Sequence, residues 1–238
     1  MKKFCFCLIL LAAAVVSLSA AEKKAAPKAE PKISKSTERA IDKWTFFQIV
    51  FLPGVPSAAQ NSNVYGIKSG WPITCGYGRL YGLEASWFYS GTEDVKGIQA
   101  SWLCCYNQTC DGIQSSFVVS INRKLMRGLQ ATMLYTHAGD MMGVQGGGIT
   151  LADNVYGLQA GLLYAQAKDV KGFQASAVCV NTGKLSGVQC NLYGQVADSN
   201  GVQLGIVNVS HGKGLQFGLI NYVKDGFLPV FPILNFAF

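Results

Sequence analysis

The sequence Gly97-Ile98-Gln99-Ala100-Ser101-Trp102-Leu103 returns fifteen residues later as Gly112-Ile113-Gln114-Ser115-Ser116-Phe117-Val118, and this recurrence decides the fold. Its first three residues form a word, a glycine, an apolar residue and a glutamine, that occurs nine times. The copies are Gly97-Ile98-Gln99, Gly112-Ile113-Gln114, Gly128-Leu129-Gln130, Gly143-Val144-Gln145, Gly157-Leu158-Gln159, Gly172-Phe173-Gln174, Gly187-Val188-Gln189, Gly201-Val202-Gln203 and Gly214-Leu215-Gln216. Two degenerate copies precede them, Gly66-Ile67-Lys68 and Gly82-Leu83-Glu84, and consecutive glycines are 13 to 16 residues apart. A short fixed period predicts a repeat architecture.

The residues around each copy alternate with a period of two, which predicts a β-strand. We number each repeat from its glycine as position 0. Positions −2, +2, +4 and +6 share one predicted face, which carries the glutamine and mostly aliphatic residues at −2 and +6. Positions +1, +3 and +5 form the apolar middle of the other face, in which +3 is usually Ala or another small residue, and position −1 is often Tyr or Lys. Each repeat also contains one turn signal rich in Asn, Asp and Gly, as in Asp153-Asn154.

The fold class is therefore all-β, with about twelve strands from repeats of about 15 residues. The leading hypothesis is a closed, antiparallel, barrel-like sheet with one hairpin turn per strand. The two ends of the domain, Phe46–Pro53 and Phe227–Leu234, are its most apolar parts, and closing the sheet removes exposed edges. In this arrangement Gln159 and Gln174 lie near opposite rims. The alternative is a parallel β-solenoid, in which like residues stack on like from coil to coil.

The domain boundaries follow from changes in composition. Residues 1–21 read as a signal peptide: Lys2 and Lys3 precede the apolar stretch Phe4–Leu18, and Ser19-Ala20-Ala21 offers small residues for cleavage. An uncleaved membrane helix is the alternative. Residues 22–44 are rich in Lys, Ala and Pro and are interpreted as an extended spacer. Residues 45–238 form one repeat β domain.

The charge of the chain excludes nucleic acid as a partner. The net charge is +7, but it is concentrated near the N-terminus. Residues 45–238 contain eleven basic and nine acidic residues, so the predicted domain has no basic footprint for nucleic acid. A membrane lipid or an envelope protein remains open as a partner, and a small-molecule ligand cannot be assigned.

No arrangement of residues in the sequence predicts catalysis, a metal site or a cofactor. The two histidines, His137 and His211, lie in or near turns, and no two carboxylates are placed as an acid/base pair. The six cysteines beyond the leader match neither a zinc pattern nor Cys-x-x-Cys, although Cys105 and Cys110 flank a turn and could form a disulfide. The sequence thus predicts a protein that is not an enzyme and needs no cofactor.

The last repeats resemble a group of bacterial surface-repeat proteins. Gly201-Val202-Gln203-Leu204-Gly205-Ile206-Val207-Asn208 and Gly214-Leu215-Gln216-Phe217-Gly218-Leu219-Ile220-Asn221 are similar to the pattern Gly-Leu-Gln-x-Gly-Leu-x-Asn that recurs in those proteins after a signal peptide. The resemblance covers residues 45–238, and the earlier repeats depart from it at the second glycine and the asparagine. It implies an envelope location and no known activity, so no site residues follow from it.

Composition, leader and resemblance together predict an exported, non-enzymatic cell-envelope β-repeat protein. Its expected location is the outer membrane or the cell surface, with the periplasm as the alternative. Its expected role is structural or one of interaction. The alternative is a soluble periplasmic or surface binding module for an apolar ligand or a protein partner.

Overall fold

The computed structural model describes residues 43–51, 62–224 and 228–237, so the predicted signal peptide and most of the predicted spacer lie outside the described residues. The first strand begins at Lys43, two residues before the predicted start of the domain. The strands are β1 Lys43–Val50, β2 Ser62–Gly70, β3 Ile73–Ser86, β4 Tyr89–Ser101, β5 Cys104–Ser116, β6 Val119–Thr132, β7 Tyr135–Ser199, β8 Gly201–Ser210, β9 Gly214–Val223 and β10 Val230–Ala237.

The strands form a parallel β-solenoid in which each repeat stacks on the next. In the sheet, β1 to β10 lie in sequence order, and each strand from β1 to β8 is parallel to its successor. Like positions are in register: Gly82 pairs with Gly97, and Gly97 with Gly112. The 65-residue strand β7 runs through four copies of the word, so the described residues contain ten strand elements instead of about twelve.

The predicted antiparallel barrel is therefore wrong, and the predicted alternative describes the architecture. The barrel hypothesis assumed that the chain changes direction once in each repeat, which would make consecutive strands antiparallel. A second bend falls between positions +5 and +6, as at Trp102-Leu103 and Met133-Leu134. At these two places its residues are apolar and give no turn signal. With two changes of direction, the chain returns after one repeat to the start of the previous coil, and parallel stacking follows.

The apolar C-terminal segment closes the stack without closing the sheet into a ring. Strand β10 pairs antiparallel with β9, from Val230 opposite Tyr222 to Ala237 opposite Gly214. It covers the edge that the last parallel coil would otherwise expose, which is one way in which proteins protect such edges. The apolar character of this segment thus reflects a terminal strand and does not require a closed barrel.

Each coil is filled by columns of inward side chains that run along the solenoid. The column at −2 is apolar and buried, from Val64 and Leu80 to Val170 and Leu185. The column at +2 contains the glutamines, which are also buried. Position +6 departs from the prediction in several copies: beyond the bend Leu163 and Ile220 are exposed, whereas Val118 at the same position is buried.

The register can be tested with a cysteine pair on the outer surface. Ile98 and Ile113 are register partners on β4 and β5, and neighbouring strands bring their Cα atoms to about 4.8 Å. We expect the variant Ile98→Cys with Ile113→Cys to form an intramolecular disulfide under mild oxidation, because a disulfide spans up to about 7 Å between Cα atoms. Peptide mapping by mass spectrometry identifies the bond.

The matched control places the second cysteine one coil further along. Leu129 is the register partner of Ile113, so the pair Ile98→Cys with Leu129→Cys lies two strand spacings, or about 9.6 Å, apart and should stay reduced. Equal cross-linking of the two pairs, or none in the first, would contradict the parallel register. The barrel hypothesis placed Gln159 and Gln174 near opposite rims, and this expectation is also wrong. The Gln174 Nε2 atom lies 2.9 Å from the Gln159 Oε1 atom.

Candidate functional site

The nine predicted repeat glutamines line the interior and do not face a ligand. From Gln130 onward, each amide Nε2 donates to the Oε1 of the glutamine one coil before it, over 2.7 to 3.2 Å. Asn107 is inserted between the first two, since its Nδ2 donates to Gln99 and its Oδ1 accepts from Gln114. Buried amide groups are normally hydrogen-bonded in this way in folded proteins. The column of glutamines therefore stabilises the stacking of the coils.

The nine repeat glycines lie on the outer wall, each against the glycine of a neighbouring coil. At most of them φ is positive, and an added Cβ would meet the carbonyl oxygen of the glycine in the preceding coil. These glycines therefore allow neighbouring coils to pack at the normal distance between strands, which a side chain at this position would prevent. None of the eighteen predicted residues assembles a binding or catalytic group.

The ladder begins with two buried charged groups. Lys68 and Glu84 occupy the +2 positions of the two degenerate copies and are buried. Lys68 Nζ donates to Thr92 Oγ1 at 2.7 Å, and that hydroxyl donates to Glu84 Oε1 at 3.0 Å. Gln99 Nε2 donates to Glu84 Oε2 at 3.0 Å, which joins the charged pair to the ladder. Burial lowers the pKa of the Lys68 ammonium, while the charge of Glu84 opposes that shift.

The pairing of Lys68 with Glu84 was not predicted, although both degenerate copies are evident in the sequence. The available signal was two consecutive +2 positions carrying opposite charges. In a parallel stack such positions are neighbours, whereas in an antiparallel sheet they are not. The pair is enclosed in the coil, so it contributes to structure and does not present reactive groups to a substrate.

The cysteines in the described part of the chain are free thiols. The predicted option of a bond between Cys105 and Cys110 is not realised: Cys105 faces Ser101 and Ser115 O, while Cys110 belongs to the apolar −2 column. Burial raises the pKa of both thiols to about 12. Such thiols stay protonated at neutral pH and are poor nucleophiles.

Other polar groups do not form a recognisable site. Within the described ranges, no group of three or more His, Cys, Asp and Glu side chains could hold a metal ion. The predicted turn histidine His211 lines an open depression at the C-terminal turns, with Lys184, Asp198 and Lys213. The mixed charges of that depression favour no particular ligand.

The outstanding surface is a continuous apolar sheet face made by positions +1, +3 and +5, which we call the apolar face. Its +1 and +5 columns contain large exposed side chains. The exposed members of these columns are Ile67, Leu83, Ile98, Ile113, Leu129, Val144, Leu158 and Phe173 at +1, and Trp71, Trp87, Trp102, Phe117, Met133, Leu162, Leu192, Ile206 and Leu219 at +5. The +3 column between them is mostly Ala, Ser or Gly up to Ala175.

The size of the apolar face is unusual for a protein without a partner. Eleven copies of the word stack at about 4.8 Å per coil, so the face is about 50 Å long, and four residues of strand make it about 13 Å wide. That is about 650 Å², above the largest apolar patch of a typical monomeric protein. A contiguous patch of this size marks an interaction surface.

One edge of the apolar face is bordered by the −1 column, which we call the border. Tyr65 and Tyr81 stack there with ring centroids 4.9 Å apart. The Lys96 ammonium lies 5.4 Å from the ring centroid of Tyr81, and that of Lys171 lies 5.3 Å from the ring centroid of Tyr156. These cation–π contacts hold the ammonium groups at the edge of the face.

Comparison with protein-family models, with curated proteins and with solved structures finds no match to this chain. In the described residues, no helix has the length and apolar character required to cross a membrane.

Proposed function

We propose that this chain is a non-enzymatic cell-envelope protein, associated with the outer membrane or cell surface, in which the solenoid is a scaffold and the apolar face is its interaction surface. The observation that supports this most strongly is that every copy of the word contributes at least one large exposed apolar side chain to the apolar face. The predicted signal peptide and the resemblance to surface-repeat proteins agree with an envelope location.

A scaffold role suits the physics of a solenoid. Each coil contacts only its neighbours, so the free energy of unfolding increases as repeats are added. Repetition of one short unit also produces a long, flat surface. The interior contains a polar amide ladder and an apolar column, both closed to solvent. The outward side chains can therefore differ from copy to copy without disturbing this interior.

A soluble binding module is the second candidate, and one feature favours it. The small residues at +3 form a shallow trough between the large residues at +1 and +5, with Ala85 and Ala175 near its two ends. In the last two copies of the word, the large side chains of Leu204 and Phe217 occupy +3 and end the trough. An extended apolar ligand or peptide would lie along this trough. This candidate places the protein in the soluble periplasmic or exported fraction.

Cell fractionation separates the two candidates. In a bacterium that exports the full chain, we expect the protein to sediment with the envelope, to resist a carbonate wash and to be released by detergent, because the apolar face is removed from water there. Recovery wholly in the soluble fraction would contradict the envelope proposal and favour the soluble module.

Two variants make this measurement specific to the apolar face. Leu162 is 76% and Leu219 69% exposed, so Leu162→Ser with Leu219→Ser should fold normally yet shift the protein toward the soluble fraction. Tyr77 and Leu228 are exposed apolar residues outside the face, so Tyr77→Ser with Leu228→Ser is the matched control and should behave as the wild type.

A further inference from the structure

We propose that the partner of the apolar face is the surface of an anionic lipid bilayer, on which the solenoid lies flat with its long axis parallel to the membrane. The proposal rests on the function proposed above and names the partner of the same face. Positions +5 and +6, which we call the corner, enter the acyl region, and the border stays at the level of the phosphates.

The exposure of the side chains defines a direction of insertion. The exposed +1 residues from Ile67 to Phe173 are 36 to 44% accessible, whereas those at +5 reach 76% at Leu162. The apolar surface therefore projects most strongly at the corner. If the corner enters the acyl region, the largest apolar area leaves water, and this area sets the strength of interfacial binding.

The shape of the corner distinguishes a lipid phase from a rigid partner. Apolar side chains protrude on both sides of the bend, as at Trp87 and Phe88, Leu162 and Leu163, and Leu219 and Ile220. A second copy laid on the flat sheet would cover the +5 column and leave the +6 column in water. Acyl chains are fluid and surround a convex edge on both sides, so they cover both columns.

The border provides charge complementarity to lipid phosphates. Its eleven positions include four basic residues and one acidic residue, Asp111. Arg127 lies 3.7 Å from Asp111, so this carboxylate is paired. Lys96 and Lys171 each lie beside a border tyrosine. Tyrosine and lysine together are typical of the membrane interface, where aromatic rings and snorkelling ammonium groups meet the headgroups.

The border also argues against a face-to-face pair of copies. In one arrangement, the two-fold axis lies in the plane of the face and is perpendicular to the solenoid axis. Each border then lies opposite the border of the other copy, and the basic residues repel. In the other arrangement, the two-fold axis is parallel to the solenoid axis. Each border then contacts the apolar corner of the other copy and loses its hydration. Neither arrangement provides the basic residues with an anionic partner.

Vesicle flotation with the full chain tests the proposal. The chain is extracted with detergent from the envelope fraction of expressing cells and the detergent is then removed. All variants share its first 42 residues, so differences between them report the solenoid. The probes are vesicles of phosphatidylcholine alone and vesicles containing phosphatidylglycerol. We expect the wild type to bind both, and the anionic vesicles more tightly, with binding weakened by salt.

The variants assign the binding to the corner and the border separately. Leu162→Ser with Leu219→Ser should weaken binding to both vesicles by about tenfold or more, since two large apolar side chains no longer enter the lipid. Lys96→Gln with Lys171→Gln should weaken binding to anionic vesicles by about twenty-five-fold, at about fivefold per lysine, and leave binding to phosphatidylcholine unchanged. Tyr77→Ser with Leu228→Ser is the matched control. Circular dichroism checks that every variant is folded.

Three outcomes would overturn the proposal. The first is a folded wild type that floats with neither vesicle. The second is a corner variant or a lysine variant that binds as the wild type does. The third is a stable dimer in sedimentation velocity that Leu162→Ser dissociates, which would assign the face to a second copy. If the chain still sediments with the cell envelope in any of these cases, the envelope function stands and only the lipid partner is wrong.

Discussion

The variant Gly112→Ala is expected to be destabilised by at least about 3 kcal/mol, whereas Gly146→Ala should be neutral or slightly stabilised. Gly112 has a φ of +142°, where an L-residue is strained, and its added Cβ would collide with the carbonyl oxygen of Gly97 in the preceding coil. That oxygen belongs to the backbone and cannot move without parting the coils. Because each coil contacts only its neighbours, the damage falls on the interface between the two halves of the stack.

Gly146 is a control with the same substitution. An added Cβ there has no heavy atom within 4 Å, and its φ is not in the strained region. It belongs to the +3 column, in which Ala131 and Ala160 hold the same place in the coils on either side. Chemical denaturation followed by circular dichroism provides the comparison. Equal stability of Gly112→Ala and Gly146→Ala would contradict the proposed role of the glycine column.

The second large effect concerns the charged start of the glutamine ladder. Lys68→Gln alone and Glu84→Gln alone should each cost about 3–5 kcal/mol, because each leaves one buried charge without its opposite. The double variant Lys68→Gln with Glu84→Gln should be close to the wild type in stability. It replaces the charged pair with two amides and extends the ladder toward Gln48, whose buried Oε1 has no hydrogen-bond partner.

Denaturation of the four proteins forms a double-mutant cycle, and the coupling free energy between positions 68 and 84 is the quantity measured. A coupling near zero would mean that the two charges do not act as a pair. The comparison also has a pH signature. Burial lowers the pKa of Lys68 below 10.5, so the unfolded chain binds more protons at this residue between the lowered value and 10.5. Wild-type stability relative to the double variant should therefore rise as the pH increases through that window.

Several features of the fold follow from local sequence. The period-two alternation predicts strands, and the strands are there. The aliphatic residues at −2 and the glutamines at +2 were placed on one face, and both columns are buried. The spacing of 13 to 16 residues between the glycines predicted the length of a repeat, and like positions pair in register along the sheet.

Other features could not be read from one repeat. The bend at Trp102-Leu103 has no glycine, asparagine or proline, so the chain's second change of direction was invisible and +6 was assigned inward. The pairing of Lys68 with Glu84 became evident only once their coils were known to be neighbours. The size of the apolar face likewise depends on stacking, because each copy contributes only a few exposed side chains.

The sequence by itself determined that this protein is built from strands of one repeated unit with an apolar and glutamine-rich interior. These properties depend on side-chain alternation and spacing, which are local to each repeat. Only the tertiary structure decided that neighbouring strands are parallel and that the +1, +3 and +5 columns join into one exposed surface. The physical reason is that alternation along a strand is the same in both strand directions, whereas the identity of its neighbour depends on how the chain turns between strands.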